Sequence, residues 1–154
     1  MTPSETADAL RRAVETVLPR LRALSDERAS KQPASGKWSA KELIGHLIDS
    51  ATNNHNRFVR GILDSEVRLP KYEQEGWVRV QGYATADWGA LLDLWRLYNL
   101  HLACVIERIP AAEVGTPCLI GDNPPMPLGE LAADYVRHLE HHLGQVLNRG
   151  EAQA

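Results

Sequence analysis

The sequence contains no Cys-x-x-Cys pair, and its only cysteines are Cys104 and Cys118. A cysteine-based zinc site is therefore not expected, and both residues are interpreted as reduced thiols, with metal ligation or a nucleophilic role as the alternative. The sequence also lacks the G-x-x-x-x-G-K pattern of a phosphate-binding loop and the nucleophile elbow of serine hydrolases. A nucleophilic mechanism in this protein would consequently have to use a bound metal or an external thiol.

Long apolar runs are missing as well, since the longest extend over only a few residues. A membrane-spanning helix needs about 20 such residues, so no membrane partner is expected. The N-terminal segment MTPSETADALRR is polar and lacks the apolar core of a signal peptide, which predicts a cytoplasmic protein. There is no excess of positive charge: the net charge of −3 argues against a nucleic-acid partner.

The composition is that of a soluble globular protein, with 44% apolar and 24% charged residues. A chain of 154 residues can bury a sizeable core, and residues 1–154 are predicted to form a single domain. Four segments show the spacing of apolar residues that is typical of helices. The predicted helices run from about Ser4 to Ala29 with a kink or break at Pro19, from the Ser39 cap to about Leu63, from about Thr85 to Pro110, and from about Leu128 to Gly150.

Four long amphipathic segments in a chain of this length predict an all-α fold, a four-helix up-down bundle. The connection between the second and third helices has about 20 residues, which is long enough for a crossover in place of a hairpin. It contains Trp77 and Tyr83, and it could fold over the mouth of a pocket, although aromatic residues in loops more often only pack. The connection before the fourth helix is also long. Connections of this length either carry function or contain small local elements.

The fourth helix contains three histidines in the stretch YVRHLEHHLGQ, residues 135–145. His138 and His142 are four residues apart, so both rings project from one side of the helix, whereas His141 points toward the rim. Glu140 points roughly opposite, and the string matches neither H-E-x-x-H nor H-x-x-E-H. His138 and His142 are therefore either a pair of metal ligands or part of a core network without metal.

A metal site of this kind normally has three protein ligands, and the best third candidate is His46 in the second helix. His46 lies on a polar stripe that is separate from the apolar face of its helix. By periodicity alone, this stripe suits either a solvated surface or the wall of a polar pocket, and the sequence does not decide between them. The stripe also contains Asp49, Ser50, Asn53 and Arg57, while His55 and His101 are interpreted as structural or surface residues.

The segment GKWSAKELIGHLIDS and the later segment HLEHHLGQV together resemble the DinB/YfiT-like superfamily of four-helix-bundle metalloproteins. The resemblance covers nearly the whole chain, including YEQEGWVRVQGY in the middle connection. It implies a metal triad of His46, His138 and His142, a polar stripe that faces an interior pocket, and a homodimer.

The resemblance further implies a divalent ion, nickel or zinc above all, with iron or manganese as further candidates. Three imidazoles suit several first-row metals, so the ligand type does not select among them. Some members of the superfamily join a low-molecular-weight thiol, such as bacillithiol or mycothiol, to an electrophile. The expected function is therefore a metal-dependent thiol transferase acting on small molecules, and the alternatives are a metal-dependent hydrolase or a metal-binding stress protein without turnover.

Several neighbours of the histidines have expected roles, although no residue is assigned as catalytic. The thiol cofactor is expected to contact Asn53, Arg57 and Trp77, and Arg57 could bind a carboxylate or phosphate or instead form a surface salt bridge. Asp49 and Asp134 are candidate hydrogen-bond acceptors for the free ring nitrogens, or are ordinary surface aspartates. Gln145 is expected beside the metal site or at a subunit contact.

Overall fold

The computed structural model of the chain describes residues 1–151, and the side chains of residues 1–149. The helices are α1 (Pro3–Arg22), α2 (Asp26–Ser30), α3 (Ala40–Leu63), α4 (Gln74–Val80), α5 (Trp88–Glu107) and α6 (Leu128–Glu151). The strands are β1 (Val67–Leu69), β2 (Pro117–Ile120) and β3 (Met126–Pro127), and short 3-10 turns occupy Tyr83–Thr85 and Ala111–Glu113. None of the helices in residues 1–151 has the length and apolar character that a membrane span requires.

The start of α3 follows the predicted capping box. The Ser39 side chain accepts a hydrogen bond from the backbone N–H of Glu42 at 3.2 Å, and the Glu42 carboxylate accepts one from the Ser39 N–H at 3.1 Å. These two bonds satisfy backbone donors that have no partner within the helix. Helix α3 then continues to Leu63, as its sequence predicts.

The first predicted helix is divided in two, and the division is not at Pro19. Helix α1 continues through Pro19 to Arg22, and α2 begins at Asp26 with Ser25 as its N-cap. Pro19 lies within the last turn, and the buried residues Val17 and Leu21 on either side of it keep the helix against the core. The predicted helix to Ala29 is therefore interrupted, but between Arg22 and Asp26, where Ser25 caps a new helix, and not at Pro19 as predicted.

Two other predicted helix ends are also corrected. The N-cap of α5 is Asp87, whose carboxylate accepts from the Ala90 N–H at 2.8 Å, because Thr85 belongs to a 3-10 turn that follows Gly82. Gly82 has a φ of 68°, the left-handed conformation that favours glycine. Helix α6 is described to Glu151, so Gly150 does not end it; a glycine can continue a helix at a cost of about 1 kcal/mol.

The four long helices pack so that α1 contacts α5 and α6, and α3 contacts the same two helices. Helices α1 and α3 therefore lie diagonally across the bundle from each other. The core between them consists mainly of leucine, isoleucine, valine and alanine, together with Phe58 and Trp95. The four-helix bundle predicted from the periodicity is confirmed.

Helices α3 and α5 run in the same direction. The Asp26 carboxylate accepts from Lys41 Nζ at 2.8 Å and from the Trp88 backbone N–H at 3.2 Å, which brings the starts of both helices together. Further along, the His55 ring contacts Tyr98. The connection between α3 and α5 therefore crosses back along the bundle, over about 36 Å for a 24-residue helix. The crossover agrees with the sequence-based expectation. Because α3 and α5 are parallel, the helices do not alternate strictly up and down along the chain.

A small three-stranded sheet, which the all-α prediction did not include, joins the two long connections. Strand β1 pairs with β2 in parallel, with Val67 opposite Cys118, and β2 pairs with β3 antiparallel, with Cys118 opposite Met126. Strands of two to four residues are too short to show a periodic pattern, and the parallel pair joins segments far apart in sequence. The sheet holds the crossover connection against the segment that leads into α6.

Candidate metal centre and the adjoining cavity

The structure brings His46 of α3 together with His138 and His142 of α6. One nitrogen from each of these rings lies within 4.8 Å of the others. The Nε2 atoms of His138 and His142 are 3.1 Å apart, and the His46 ring centroid lies 4.9 Å from that of His142. His46 is 1% exposed, His142 is half-buried and His138 is exposed, so the cluster is closed on the α3 side and open at His138.

The His46 ring is buried with both nitrogens, Nδ1 and Nε2, unpartnered among the described residues. Buried polar atoms are nearly always hydrogen-bonded or bound to a ligand, so this ring requires a further partner. Burial and, to a smaller extent, the neighbouring His142 and His138 lower the pKa of His46 to about 4. The ring is therefore neutral near pH 7, which is the form that binds a metal ion.

The two histidines of α6 are also favoured in the neutral form. Burial is the main cause that lowers the pKa of His138, and it likewise lowers the pKa of His142 against the opposing effect of its hydrogen bond to Gln145. In a tetrahedral zinc site, nitrogens about 2.0–2.1 Å from the ion lie roughly 3.3 Å apart. The 3.1 Å separation of the two Nε2 atoms is close to this value, so this pair fits a divalent ion, and a His46 nitrogen lies within 4.8 Å of both.

Gln145 orients the His142 ring. Its Oε1 lies 2.9 Å from His142 Nδ1 and accepts a hydrogen bond from that nitrogen, which leaves the Nε2 lone pair directed at the cluster. Gln145 Nε2 lies 3.3 Å from Nε2 of His141, which is exposed at the rim as its helical position predicts. The expectation that Gln145 lies beside the histidines is confirmed.

The other two expected acceptors do not contact the histidines. Oδ1 of Asp49 accepts from Gln81 Nε2 and from the Tyr83 hydroxyl, both at 2.8 Å, while Oδ2 is buried without a partner among the described residues. Asp134 pairs with Arg137 at 3.1 Å. Among the described residues, neither carboxylate accepts a hydrogen bond from a histidine ring of the cluster. Asp49 instead holds the crossover connection, and Asp134 is the exposed surface aspartate that was the alternative.

Trp38 and Tyr83 complete the surroundings of His46. The Trp38 ring lies over the His46 ring, with centroids 5.1 Å apart and a 35° angle between the planes. Tyr83 is buried against Gly45, the residue before His46, so it packs against α3 and does not cover a pocket mouth. Burial raises the pKa of the Asp49 carboxyl, against the hydrogen bonds from Gln81 and Tyr83.

A cavity of about 350 Å³ adjoins the cluster between α3, α6 and the crossover connection. His138 lines it from α6, and Ser50, Asn54 and Arg57 line it from α3. The polar stripe of α3 therefore faces an interior pocket, as the family resemblance implies. The remaining lining residues are Lys71, Tyr72, Gln74, Ile120, Asn123, Leu131, Asp134 and Tyr135.

The three residues expected to contact a cofactor are distributed over two cavities. Arg57 lines the cavity that contains His138, whereas Asn53 and Trp77 line a neighbouring cavity of about 400 Å³ that Arg57 also reaches. Asn53 donates to the Asp49 carbonyl oxygen at 2.9 Å. Trp77 is 38% exposed and its ring meets that of Tyr72 edge to face. Arg57 is thus the one of the three that shares a cavity with a histidine of the cluster.

The sequence did not indicate most of the cavity wall. Lys71 and Tyr72 lie in the crossover connection, and Asn123 lies in the turn between β2 and β3, so the fold alone brings them to α3. Tyr135 of α6 is buried, its hydroxyl donates to Asn99, and it also borders the cavity. Cys104 and Cys118 are free thiols, as predicted.

Comparison with known proteins gives relatives that are described by metal dependence. A protein of Geobacillus thermodenitrificans (strain NG80-2) named "Putative metal-dependent hydrolase" is 29% identical over 150 residues, which are 94% of this chain and 78% of that protein. A protein of the same description from Oceanobacillus iheyensis is 23% identical over 123 residues, which are 80% of this chain and 70% of that protein.

Two solved structures share the fold. YfiT from Bacillus subtilis, described as "a probable metal-dependent hydrolase with an unusual four-helix bundle topology", has a TM-score of 0.85 at 17% identity and covers 98% of this chain and 87% of its own. A mycothiol-dependent maleylpyruvate isomerase has a TM-score of 0.73 at 15% identity, over 94% of this chain and 61% of its own. The family profile described as the DinB superfamily matches residues 9–146, and the chain therefore belongs to the DinB superfamily.

Proposed function

We propose that the protein binds one divalent metal ion through His46, His138 and His142 and is a metal-dependent transferase that joins a low-molecular-weight thiol to an electrophile. The observation that carries the metal site is the buried His46 ring, whose two nitrogens have no partner among the described residues and which lies against two further imidazoles. Nickel and zinc are the first candidates for the ion, followed by iron and manganese.

Each histidine has a separate role in this proposal. His46 anchors the ion from the closed side, and His142 is held in orientation by Gln145. The exposed His138 borders the cavity, so small molecules reach the ion from that side. When bound, the ion lowers the pKa of a coordinated thiol or water, so that the nucleophile is available near neutral pH.

The cavity wall supports a thiol more than a water nucleophile. Asp134 is the one carboxylate among its described lining residues, and Arg137 pairs with it at 3.1 Å. Arg57 and Lys71 give the same cavity positive charge, which suits an anionic ligand. One structure of the same fold is that of an enzyme dependent on the thiol mycothiol, and this similarity adds support.

A metal-dependent hydrolase is the second candidate, because the relatives from Geobacillus and Oceanobacillus are named for that activity. The two candidates differ in what they require. A transferase consumes thiol and electrophile together, whereas a hydrolase cleaves an ester or amide when no thiol is present. A metal-binding stress protein without turnover would do neither at full metal occupancy.

The first experiment measures metal content and activity on the same samples. Wild-type protein purified without chelators is expected to contain about one divalent ion per chain, and the double variant His138→Ala/His142→Ala to contain none. His141→Ala is the matched control, because this exposed neighbour lies outside the triad and should leave the metal content unchanged. Absence of metal from the wild type in metal-replete medium would rule out the site.

The activity screen then offers thiols with and without electrophiles to the metal-loaded protein. Thiol-dependent loss of electrophile that disappears in His142→Ala would support the transferase. Ester or amide cleavage without thiol would overturn it in favour of the hydrolase.

We further propose that the protein acts on small molecules in the cytoplasm, that it forms a homodimer and that it does not bind nucleic acid. Light scattering that gives the monomer mass of 17.1 kDa would contradict the dimer.

A further inference from the structure

Arg57 is a half-buried cation whose charge is not balanced by a neighbouring side chain. Its Nη1 donates to Asn54 Oδ1 at 3.4 Å, and no described carboxylate forms an ion pair with it. Burial is the main cause that lowers the pKa of Arg57, although an arginine remains charged in proteins. A charge in this environment costs free energy unless it is paired, so an anion at the guanidinium would be stabilised.

Two other hydrogen-bond donors, Lys71 and Tyr72, line the same cavity as Arg57. Lys71 borders the same cavity, and its side chain lies over Gly121, where an added Cβ would be 2.8 Å from Lys71 Cγ. Burial raises the pKa of the Tyr72 hydroxyl to about 12, so it stays protonated and can donate a hydrogen bond. The Asp134 charge in this wall is offset by Arg137. The cavity wall therefore combines two cations and a hydroxyl donor.

His138 borders the same cavity. The backbone positions of His46 and Arg57 lie three turns apart on α3, about 16 Å along the helix axis at 1.5 Å per residue, and the guanidinium reaches back about one turn to Asn54. A ligand that spans from the guanidinium to the histidine cluster is therefore elongated along α3. A planar guanidinium with a nearby ammonium matches a carboxylate, which arginine binds through two parallel hydrogen bonds.

We propose that this cavity binds elongated carboxylate-bearing molecules, with the carboxylate at Arg57 and Lys71 and the metal-binding or reacting group at the histidine cluster. This inference rests on the proposed metal site and assigns its ligand class. Arg57 acts as a specificity-determining residue, and its guanidinium distinguishes a carboxylate from a neutral group of the same size.

The test compares mercaptocarboxylic acids with mercaptoalcohols of equal chain length on cobalt-loaded protein. Binding is followed by the thiolate-to-cobalt absorption band and by calorimetry, over chain lengths from two to eleven carbons. The wild type is expected to bind the acid of the best length at least tenfold more tightly than the matching alcohol. Arg57→Met should reduce this preference to less than twofold while the affinity for the alcohol stays within a factor of two.

Two further variants make the result specific. Arg57→Lys keeps the charge but loses the two-pronged donor, so an intermediate preference is expected. Arg60→Met is the matched control, because Arg60 is exposed on the same helix and bonds to Asn56, and it should keep the wild-type preference. Thermal unfolding and cobalt content of every variant check that each one is folded and loaded.

The outcomes separate this inference from the proposed function. Protein that does not bind cobalt would overturn both. Protein that binds one cobalt ion but shows no preference for acids, or keeps the preference in Arg57→Met, would overturn the carboxylate site and leave the metal site supported.

Discussion

At the scale of single residues, Gln145 is the side chain that fixes how His142 faces the cluster, through the 2.9 Å hydrogen bond at Nδ1. Loss of a hydrogen bond that orients a metal-binding histidine typically lowers metal affinity 10–100-fold. We expect Gln145→Leu to weaken zinc binding by about this factor, measured by competition with a chromophoric chelator. His141→Ala should change the affinity less than threefold, and an equal loss in both variants would contradict the orienting role.

Asp49 provides a prediction about pH that does not involve the metal. Burial raises the pKa of this carboxyl above the value of about 3.9 that aspartate has in unfolded chains. A group with a raised folded-state pKa stabilises the protein fully below its unfolded pKa, and this contribution is lost as the pH rises through the folded value.

We therefore expect the wild-type advantage in free energy of unfolding over Asp49→Asn to shrink as the pH rises above about 4. Urea unfolding of the metal-free proteins at several pH values measures this difference. An advantage that grows with pH would show that the carboxylate is stabilised by folding, contrary to the burial of its unpartnered Oδ2.

The sequence indicated His46, His138 and His142 as candidates because residue type and position along a helix can be read from short segments of the chain. It did not identify the role of Asp49, which is neither a partner of the histidines nor a surface residue, because its hydrogen-bond partners are not local. Gln81 and Tyr83 reach Asp49 from another segment, over more than 30 residues of sequence. Such partners depend on where the crossover connection lies, and helical periodicity does not contain that information.

At the scale of elements, the contact between α3 and the crossover connection depends on Gly45. A Cβ at this position would overlap the Tyr83 ring. We expect Gly45→Ala to destabilise the protein by about 1–3 kcal/mol, because the ring and its hydrogen bond to Asp49 must shift. Chemical denaturation measures the change.

Gly144→Ala in α6 is the matched control, since an added Cβ there meets nothing within 4 Å. It should stabilise the chain by up to about 1 kcal/mol through helix propensity. Combining Gly45→Ala with Tyr83→Ala should give less than the sum of the two single losses, because the overlap is removed. Full additivity would mean that Tyr83 is not the group displaced.

The helices themselves were largely predictable. The α3 capping box and the start of α6 follow from local residues that satisfy backbone donors or open an amphipathic segment. The sequence did not predict that α2 and α5 begin after Ser25 and Asp87, since other residues near both positions could also act as N-caps. Several residues could cap a helix there, and packing selects one of them.

At the scale of the whole molecule, a bound ion would link α3 to α6, because its three ligands come from both helices. A ligand that binds the folded state alone stabilises it by about 4 kcal/mol at a concentration of 1,000 times its dissociation constant. We expect removal of metal by a chelator to lower the melting temperature by on the order of 10 °C for a domain of this size.

Differential scanning calorimetry before and after chelation measures this shift, and restoring zinc should reverse it. His142→Ala should show no response to chelator or to added zinc. A wild-type melting temperature that is insensitive to both would contradict a metal ion held between the two helices.

The sequence by itself determined the number of long helices, the inward side of α6 and the identity of the three histidines, because helix periodicity and residue chemistry are properties of short segments. The tertiary structure decided what those segments meet. The parallel order of α3 and α5, the small sheet and the neighbours of Asp49 and Arg57 all depend on the path of the crossover connection. That path is settled by contacts between residues distant in sequence, and this is why the cavity beside the histidines became visible only in the folded chain.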